Sequence, residues 1–94
     1  MTFQEIDAKI KQLAATKGGT GDVIKFSTDQ GNIIIDRDGT VTNDDREADV
    51  TIGISAKDLS KLMTGDLNPM MAVMMGKIKI EGDMSLAMKL QSLF

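Results

Sequence analysis

The stretch TGDLNPMMAVMMGKIKIEGDMSLAMKL, residues 64–90, decides the fold class of this chain. The seven residues from Pro69 to Met75 carry no polar side chain, and four of the seven are methionine. Gly76 ends this run, and the alternating KIKIE of residues 77–81 predicts a strand with isoleucines inward and charged side chains outward. A short apolar helix followed by an amphipathic strand indicates a domain that combines helices with a sheet.

An amphipathic helix is predicted near the N-terminus, over residues 2–15. Its apolar residues are spaced by three, four and three positions: Phe3, Ile6, Ile10 and Leu13. Thr2 and Glu5 have the spacing of a capping box, and Met1 is placed to pack onto the helix as a hydrophobic staple. The glycine-rich residues 16–21 end the helix.

Four strands are predicted in the middle of the chain. Two β-branched runs, residues 22–28 and 32–37, are separated by a short turn, and a third run follows at residues 40–42. These three runs predict a meander. Residues 43–49, NDDREAD, are polar and are predicted to form a solvated loop, after which residues 50–54 alternate as a fourth strand.

Three further helices are predicted in the second half of the chain. Ser55 is a good N-cap for a helix that Gly65 ends. Asn68 and Pro69 are suitable first residues for the short apolar helix. Asp83 opens the last predicted helix.

The predicted elements follow the order α-β-β-β-β-α-α-β-α. Because helices are grouped after a cluster of strands, this order predicts an α+β fold in which helices cover one face of a mainly antiparallel, five-stranded sheet. A chain of 94 residues is long enough for one core and too short for two. Residues 1–94 are therefore predicted to form a single domain.

The missing residue types exclude most kinds of catalytic and metal chemistry. The chain has no cysteine and no histidine, so it cannot form a disulfide, a thiolate metal site or an imidazole base. The best remaining acid/base candidates, Asp36 and Asp38, flank an Asp-Gly turn and are predicted to be turn formers. We therefore predict no enzyme activity, no catalytic residues, no metal ion and no cofactor.

The charge and the aromatic content disfavour a nucleic-acid partner. The net charge is -3, tyrosine and tryptophan are absent, and only three phenylalanines could stack on bases. The longest apolar run is far too short to span a membrane, and residues 1–10 lack an apolar signal core. We expect a cytoplasmic domain.

The apolar run of residues 69–75 and the last predicted helix present more apolar surface than one sheet contact requires. On the last helix Ser85, Lys89 and Ser92 form a polar stripe, and most of the remaining circumference is apolar. Apolar helical stripes are usually core. Methionine, however, is flexible and polarizable, which suits a surface that fits several apolar partners. The residues alone leave open a methionine-rich core, a ligand-binding lining or a protein interface.

The same segments resemble a known family. LMTGDLNP (residues 62–69), GKIKIEGDM (76–84) and LAMKLQSL (86–93) are similar to the C-terminal signature of the sterol carrier protein type 2 family of lipid-binding domains. In that signature a G-x-L/M-N-P segment leads into G-K-L-K-I-x-G-[DN]-M-x-x-A-x-K-L. The spacing matches without a gap over residues 64–90, and the preceding elements follow the family order.

The resemblance implies a five-stranded sheet with an apolar tunnel between the sheet and the C-terminal helices. It implies binding and transfer of fatty acids, fatty acyl-CoA, sterols or other hydrophobic ligands. We expect this lining to comprise Phe26, Ile35, Leu62, Met63, Leu67, Met70, Met71, Met74, Met75, Met84, Met88 and Phe94.

The sequence also departs from the family pattern. Family members commonly carry a polar residue, often glutamine, where this chain has Met70 and Met75, so hydrogen bonds to a ligand headgroup from these positions are absent here. Lys77, Lys79 and Lys89 are the candidate basic contacts at the rim, although such lysines are more often solvated surface charges.

The expected partner is a hydrophobic lipid, with a transient membrane-surface contact, and the expected state is a monomer or a weak homodimer. The alternative is a protein-interaction or homodimerisation module that uses the same apolar surface without a lipid.

Overall fold

A computed structural model of the protein describes residues 2–18, 21–83 and 85. The elements are α1 (Phe3–Lys17), β1 (Ile24–Ser27), β2 (Asn32–Ile35), β3 (Val41–Thr42), β4 (Val50–Gly53), α2 (Ala56–Thr64), α3 (Pro69–Met74) and β5 (Lys79–Gly82). This order confirms the predicted one as far as β5. The staple by Met1 and the last predicted helix beyond Asp83 lie outside the described residues, apart from Ser85.

The five strands form one sheet in the order β3-β2-β1-β4-β5. The β1–β2, β2–β3 and β4–β5 pairs are antiparallel, which confirms the predicted meander and the mainly antiparallel sheet. In contrast, β1 and β4 are parallel, with Phe26 opposite Ile52. Parallel neighbours need a connection that returns to the starting end of the sheet. Residues 43–49 provide it, because they lead from β3 at the edge of the sheet to the start of β4 beside β1.

The core lies between the sheet and the helices, and isoleucine is its main component. The buried cluster comprises Ile6, Ile10, Ala14, Ile24, Phe26, Ile33, Ile35, Val50, Ile52, Ile54, Ala56, Leu59, Leu62, Ala72 and Ile78. The helices α1 and α2 pack against each other, and α1 also contacts β3. None of the described methionines belongs to this cluster, and Met63 only packs against it.

The last strand begins two residues later than the KIKIE pattern predicts. The N–H groups of Lys77 and Ile78 both donate to the carbonyl of Ala72, at 2.9 and 3.4 Å, and so close the end of α3 instead of joining the sheet. The first residue of β5 is Lys79, which lies opposite Gly53. The predicted inward position of Ile78 is confirmed, since its side chain is buried.

The face of the sheet opposite the helices is covered in part by residues 43–49. Ile34 points away from the helices, between Lys25 and Thr42 on the neighbouring strands, yet it is fully buried. Lys25 forms an ion pair with Asp45, and the hydroxyl of Thr42 donates to Asp44 at 2.5 Å. Residues 43–49 thus form the predicted loop, and most of them are exposed. Its acidic side chains are exposed, but they anchor the segment to the sheet.

Arg46 links this segment to Asp36, the residue that follows β2. The Arg46 guanidinium donates to Asp36 Oδ2 at 2.9 Å, and its Nε lies 3.6 Å from Asp44 Oδ2. Hydrogen bonds from Arg46 and from the backbone N–H of Arg37 hold the pKa of Asp36 below its usual range. The hydrogen bond from Thr42 likewise lowers the pKa of Asp44.

These lowered pKa values predict an acid-sensitive contribution to stability. A carboxyl group whose folded pKa lies below its unfolded value stabilises the fold above the unfolded pKa of about 4, and this contribution is lost as pH falls through the folded pKa. In the Arg46→Met variant we expect a smaller stability loss between pH 5 and pH 2 than in the wild type. Urea midpoints measured across this range test the expectation, with Lys57→Met as a control on an exposed helix face. The expectation would be contradicted if the urea midpoint fell by the same amount between pH 5 and pH 2 in all three proteins.

Candidate functional site

The short helix α3 is positioned by its own N-cap. The side chain of Asn68 accepts hydrogen bonds from the N–H groups of Met70 and Met71, at 2.9 and 3.4 Å. Pro69 occupies the first helical turn, where a missing N–H costs nothing. Gly76, with a φ of 76°, follows the helix. The predicted start and end of this helix are confirmed.

Most of the α3 surface faces away from the core. Ala72 is its only buried residue and belongs to the core cluster. The larger apolar side chains are exposed: Met70 by 62%, Met71 by 56%, Val73 by 42%, Met74 by 86% and Met75 by 61%. We call these five residues the α3 apolar face. The helix carries no charged residue, so nothing polar interrupts this surface.

The exposed face decides against a methionine-rich core for this segment. A side chain that is 86% exposed, as Met74 is, contributes little to packing in the folded chain. Contiguous exposed apolar surface usually marks a binding site or an interface. The alternatives that remain for α3 are a ligand-binding surface and a protein interface.

The predicted lining residues divide into three groups in the structure. Phe26, Ile35 and Leu62 are buried in the core cluster, whereas Met63 and Leu67 are half-buried and pack against it. Met70, Met71, Met74 and Met75 lie together on the α3 apolar face. Met84, Met88 and Phe94 lie outside the described residues. Contact of all twelve residues with a ligand stays a prediction.

One exposed residue of the face was not among the predicted lining residues. Val73 lies within the same run of seven apolar residues and is 42% exposed. The apolar run indicated that Val73 could belong to the site. A helix of this length, however, is too short for periodicity to separate buried from exposed positions. Only the packing of Ala72 shows which way α3 faces.

Beside α3 the structure has a shallow polar groove of about 350 Å³. Lys77 and Lys79, two of the predicted rim lysines, lie along it. Lys89, the third, lies outside the described residues. The apolar and basic surfaces are therefore neighbours, because Met75 and Lys77 are separated by one glycine.

The carboxylates that could serve as an acid/base pair are engaged in a turn. Asp36 accepts from the N–H of Arg37 at 2.7 Å, and Asp38 accepts from the N–H of Thr40 at 2.9 Å. The prediction that they are turn formers is confirmed. Within residues 2–18, 21–83 and 85, no group of three or more acidic side chains is placed to hold a metal ion.

The matches to known proteins identify the family. The model of the SCP-2 sterol transfer family matches residues 2–94. The chain belongs to this family. Sterol carrier protein 2 from Oryctolagus cuniculus is 36% identical over 104 aligned positions, which include 99% of this chain and 19% of the rabbit protein. The SCP-2 domain described here thus spans about a fifth of the length of that relative.

Solved structures of similar proteins confirm the α+β fold of this SCP-2 domain. The solution structure of sterol carrier protein domain 2 from Helicoverpa armigera matches with a TM-score of 0.76 at 31% identity, covering 97% of this chain and 83% of that one. Palmitated SCP2L2 from Aedes aegypti matches with a TM-score of 0.83 at 23% identity, covering 99% of this chain and 94% of that one. Among the described helices of our SCP-2 domain, none is long and apolar enough to cross a bilayer.

Proposed function

We propose that this SCP-2 domain binds apolar lipids and transfers them between membranes without catalysing a reaction. The observation that carries this proposal is the α3 apolar face, which presents five large apolar side chains, four on the six-residue helix and the fifth, Met75, at its C-cap. Family membership supports it, and a protein of the same fold from Aedes aegypti has been determined in a palmitated form. The proposed ligands are fatty acids, fatty acyl-CoA and sterols.

The free energies of transfer favour exchange of a lipid with a membrane over permanent binding to the protein. Moving a methylene group from water to an apolar site gains about 0.8 kcal/mol, so a sixteen-carbon chain gains on the order of 12 kcal/mol before ordering costs. Moving the same chain from a bilayer to the protein gains almost nothing, because both environments are apolar. A domain of this kind lowers the barrier to leaving the membrane and still releases the lipid.

The α3 apolar face forms the central part of the proposed site. Met63 and Leu67, which are half-buried at the edge of the core, extend it towards α2. Contact of a ligand with Phe26, Ile35 or Leu62 requires the core to open, since these three are buried. We propose that the face also touches the membrane surface transiently while a lipid is exchanged.

Lipid binding is tested directly with a fluorescent fatty acid and methyl-labelled methionine. We expect saturable binding, displacement by unlabelled palmitate, and chemical-shift changes at Met70, Met71, Met74 and Met75 but not at the inner Met63 to the same extent. The absence of binding at saturating lipid, with unchanged methionine shifts, would overturn the proposal. The interaction-module alternative would then be examined by sedimentation, which separates a monomer from a homodimer.

The absence of catalysis is tested with acyl-CoA and lipid esters. We expect both to be recovered unchanged after incubation with the domain. Turnover that is proportional to protein concentration and survives repurification would contradict this part of the proposal.

A further inference from the structure

The polar groove beside α3 lies where the parallel strands β1 and β4 end. Ser27, the last residue of β1, and Ser55, the N-cap of α2, lie along it, as do Lys77 and Lys79 from the chain that follows α3. Its volume of about 350 Å³ is ample for a carboxylate or a phosphate group, and its serine and lysine side chains can hydrogen-bond to such a group. The groove is therefore suited to a headgroup.

Both lysines belong to the lining of the groove. They are two residues apart, and the side chain of Ile78 between them is buried. In the described part of the chain, neither ammonium group takes part in an ion pair, whereas Lys11, Lys25, Arg37 and Arg46 each do. Two cations at one groove, neither with an ion-pair partner among the described residues, attract an anion.

The other polar groups of the groove do not cancel this charge. Asp29 is the only acidic residue among those that line it, and its carboxylate accepts the N–H of Ala56 at 2.8 Å, where the positive end of the α2 dipole partly neutralises it. Ser55 Oγ accepts from the N–H of Asp58, which leaves its hydroxyl proton available to donate.

We propose that this groove binds the anionic headgroup, a carboxylate or a phosphate, of the lipid whose alkyl chain contacts the α3 apolar face. This inference rests on the proposed function and narrows the ligand class to anionic lipids. The arrangement matches an amphiphile, because the apolar face ends at Met75 and the first cation follows at Lys77. The headgroup then has a site here even though Met70 and Met75 offer it no hydrogen bond.

The test compares two ligands with the same alkyl chain, palmitate and 1-hexadecanol. In the Lys77→Gln/Lys79→Gln variant we expect palmitate to bind about tenfold more weakly at low salt, and about two- to threefold more weakly in 0.5 M NaCl, where charges are screened. Hexadecanol affinity should stay within about twofold of the wild type. The Lys9→Gln/Lys57→Gln variant removes the same charge from exposed helix positions and should bind both ligands as the wild type does.

Inorganic phosphate distinguishes a lipid headgroup site from a site for free anions. At constant ionic strength, phosphate should compete with palmitate but not with hexadecanol, and it should shift the Lys77 and Lys79 resonances. Phosphate that binds the groove without weakening palmitate would overturn the headgroup assignment.

The two proposals fail in different ways. Wild-type protein that binds both ligands, with affinities that the Lys77→Gln/Lys79→Gln change leaves intact, would overturn the headgroup site and leave lipid binding standing. Equal losses for palmitate and hexadecanol would also overturn the headgroup site, because they would show that the lysines act on the alkyl chain or on the fold. Wild-type protein that binds neither ligand would overturn the proposed function and the headgroup site together.

Discussion

Replacing Gly82 with alanine should destabilise the domain by about 3–5 kcal/mol, a large fraction of the stability of an ordinary single domain. Gly82 is the last residue of β5 and lies opposite Val50 with a φ of +110°, a conformation that L-residues rarely adopt. An added Cβ would overlap the carbonyl oxygen of Asp49 and lie 3.1 Å from Val50 Cα. Both neighbours are backbone, and Val50 is fully buried in the central sheet, so neither can move away cheaply.

A second glycine separates the effect of the overlap from that of the backbone conformation. Gly65 also has a positive φ, +81°, but an added Cβ there meets no atom within 4 Å. Gly65→Ala should therefore cost only about 1 kcal/mol. Urea midpoints of the two variants measure the difference, and a Gly82→Ala protein with no folded signal represents the upper end of the expectation. If Gly82→Ala and Gly65→Ala lost the same stability, the close approach of the Asp49 carbonyl to Gly82 would be unimportant.

Replacing Met70 and Met74 together with glutamine should weaken lipid binding about 30- to 1,000-fold. Each change takes away apolar contact and places an amide against an alkyl chain that cannot hydrogen-bond to it, at about 1–2 kcal/mol per position. The two residues are one helical turn apart on the α3 apolar face and are 62% and 86% exposed without ligand. In the lipid-free protein, the two changes should therefore alter the free energy of unfolding, measured by the urea midpoint, by less than about 0.5 kcal/mol.

The matched control is the Met70→Leu/Met74→Leu variant, which keeps apolar side chains of similar size. We expect its lipid affinity to stay within about fivefold of the wild type, because volume-conserving apolar changes cost little. Lipid dissociation constants and urea midpoints are measured for all three proteins. If the glutamine variant bound lipid as tightly as the wild type, the α3 apolar face would not be part of the binding site. If the glutamine variant lost much of its stability, these methionines would instead belong to a packed core.

Local features of the fold could be predicted from the sequence because they depend on neighbouring residues. The capping box is present as expected, with Glu5 N–H donating to Thr2 Oγ1 at 3.2 Å and Thr2 N–H donating to Glu5 Oε1 at 3.1 Å. Ser55 and Asn68 cap their helices as predicted. Such bonds join groups three or fewer positions apart, so the residue types and their spacing are sufficient evidence.

Long-range features were not predicted because no local pattern encodes them. Asp29 accepts a hydrogen bond from Ala56, 27 residues away, and so supports the start of α2. The parallel pairing of β1 with β4 depends on the path of residues 43–49. Three consecutive isoleucines, residues 33–35, also carry no alternation, so the burial of Ile34 on the second face could not be predicted from them.

The sequence by itself determined that α3 is a short helix without a polar stripe, since Asn68, Pro69 and Gly76 bound a run of apolar residues. Only the tertiary structure decided which of those residues are exposed. Ala72, the smallest side chain in the helix, is the one that contacts the core, and this leaves the four methionines outside. The reason is geometric: a helix this short can turn only one side to the core, and composition that is uniformly apolar does not say which side that is.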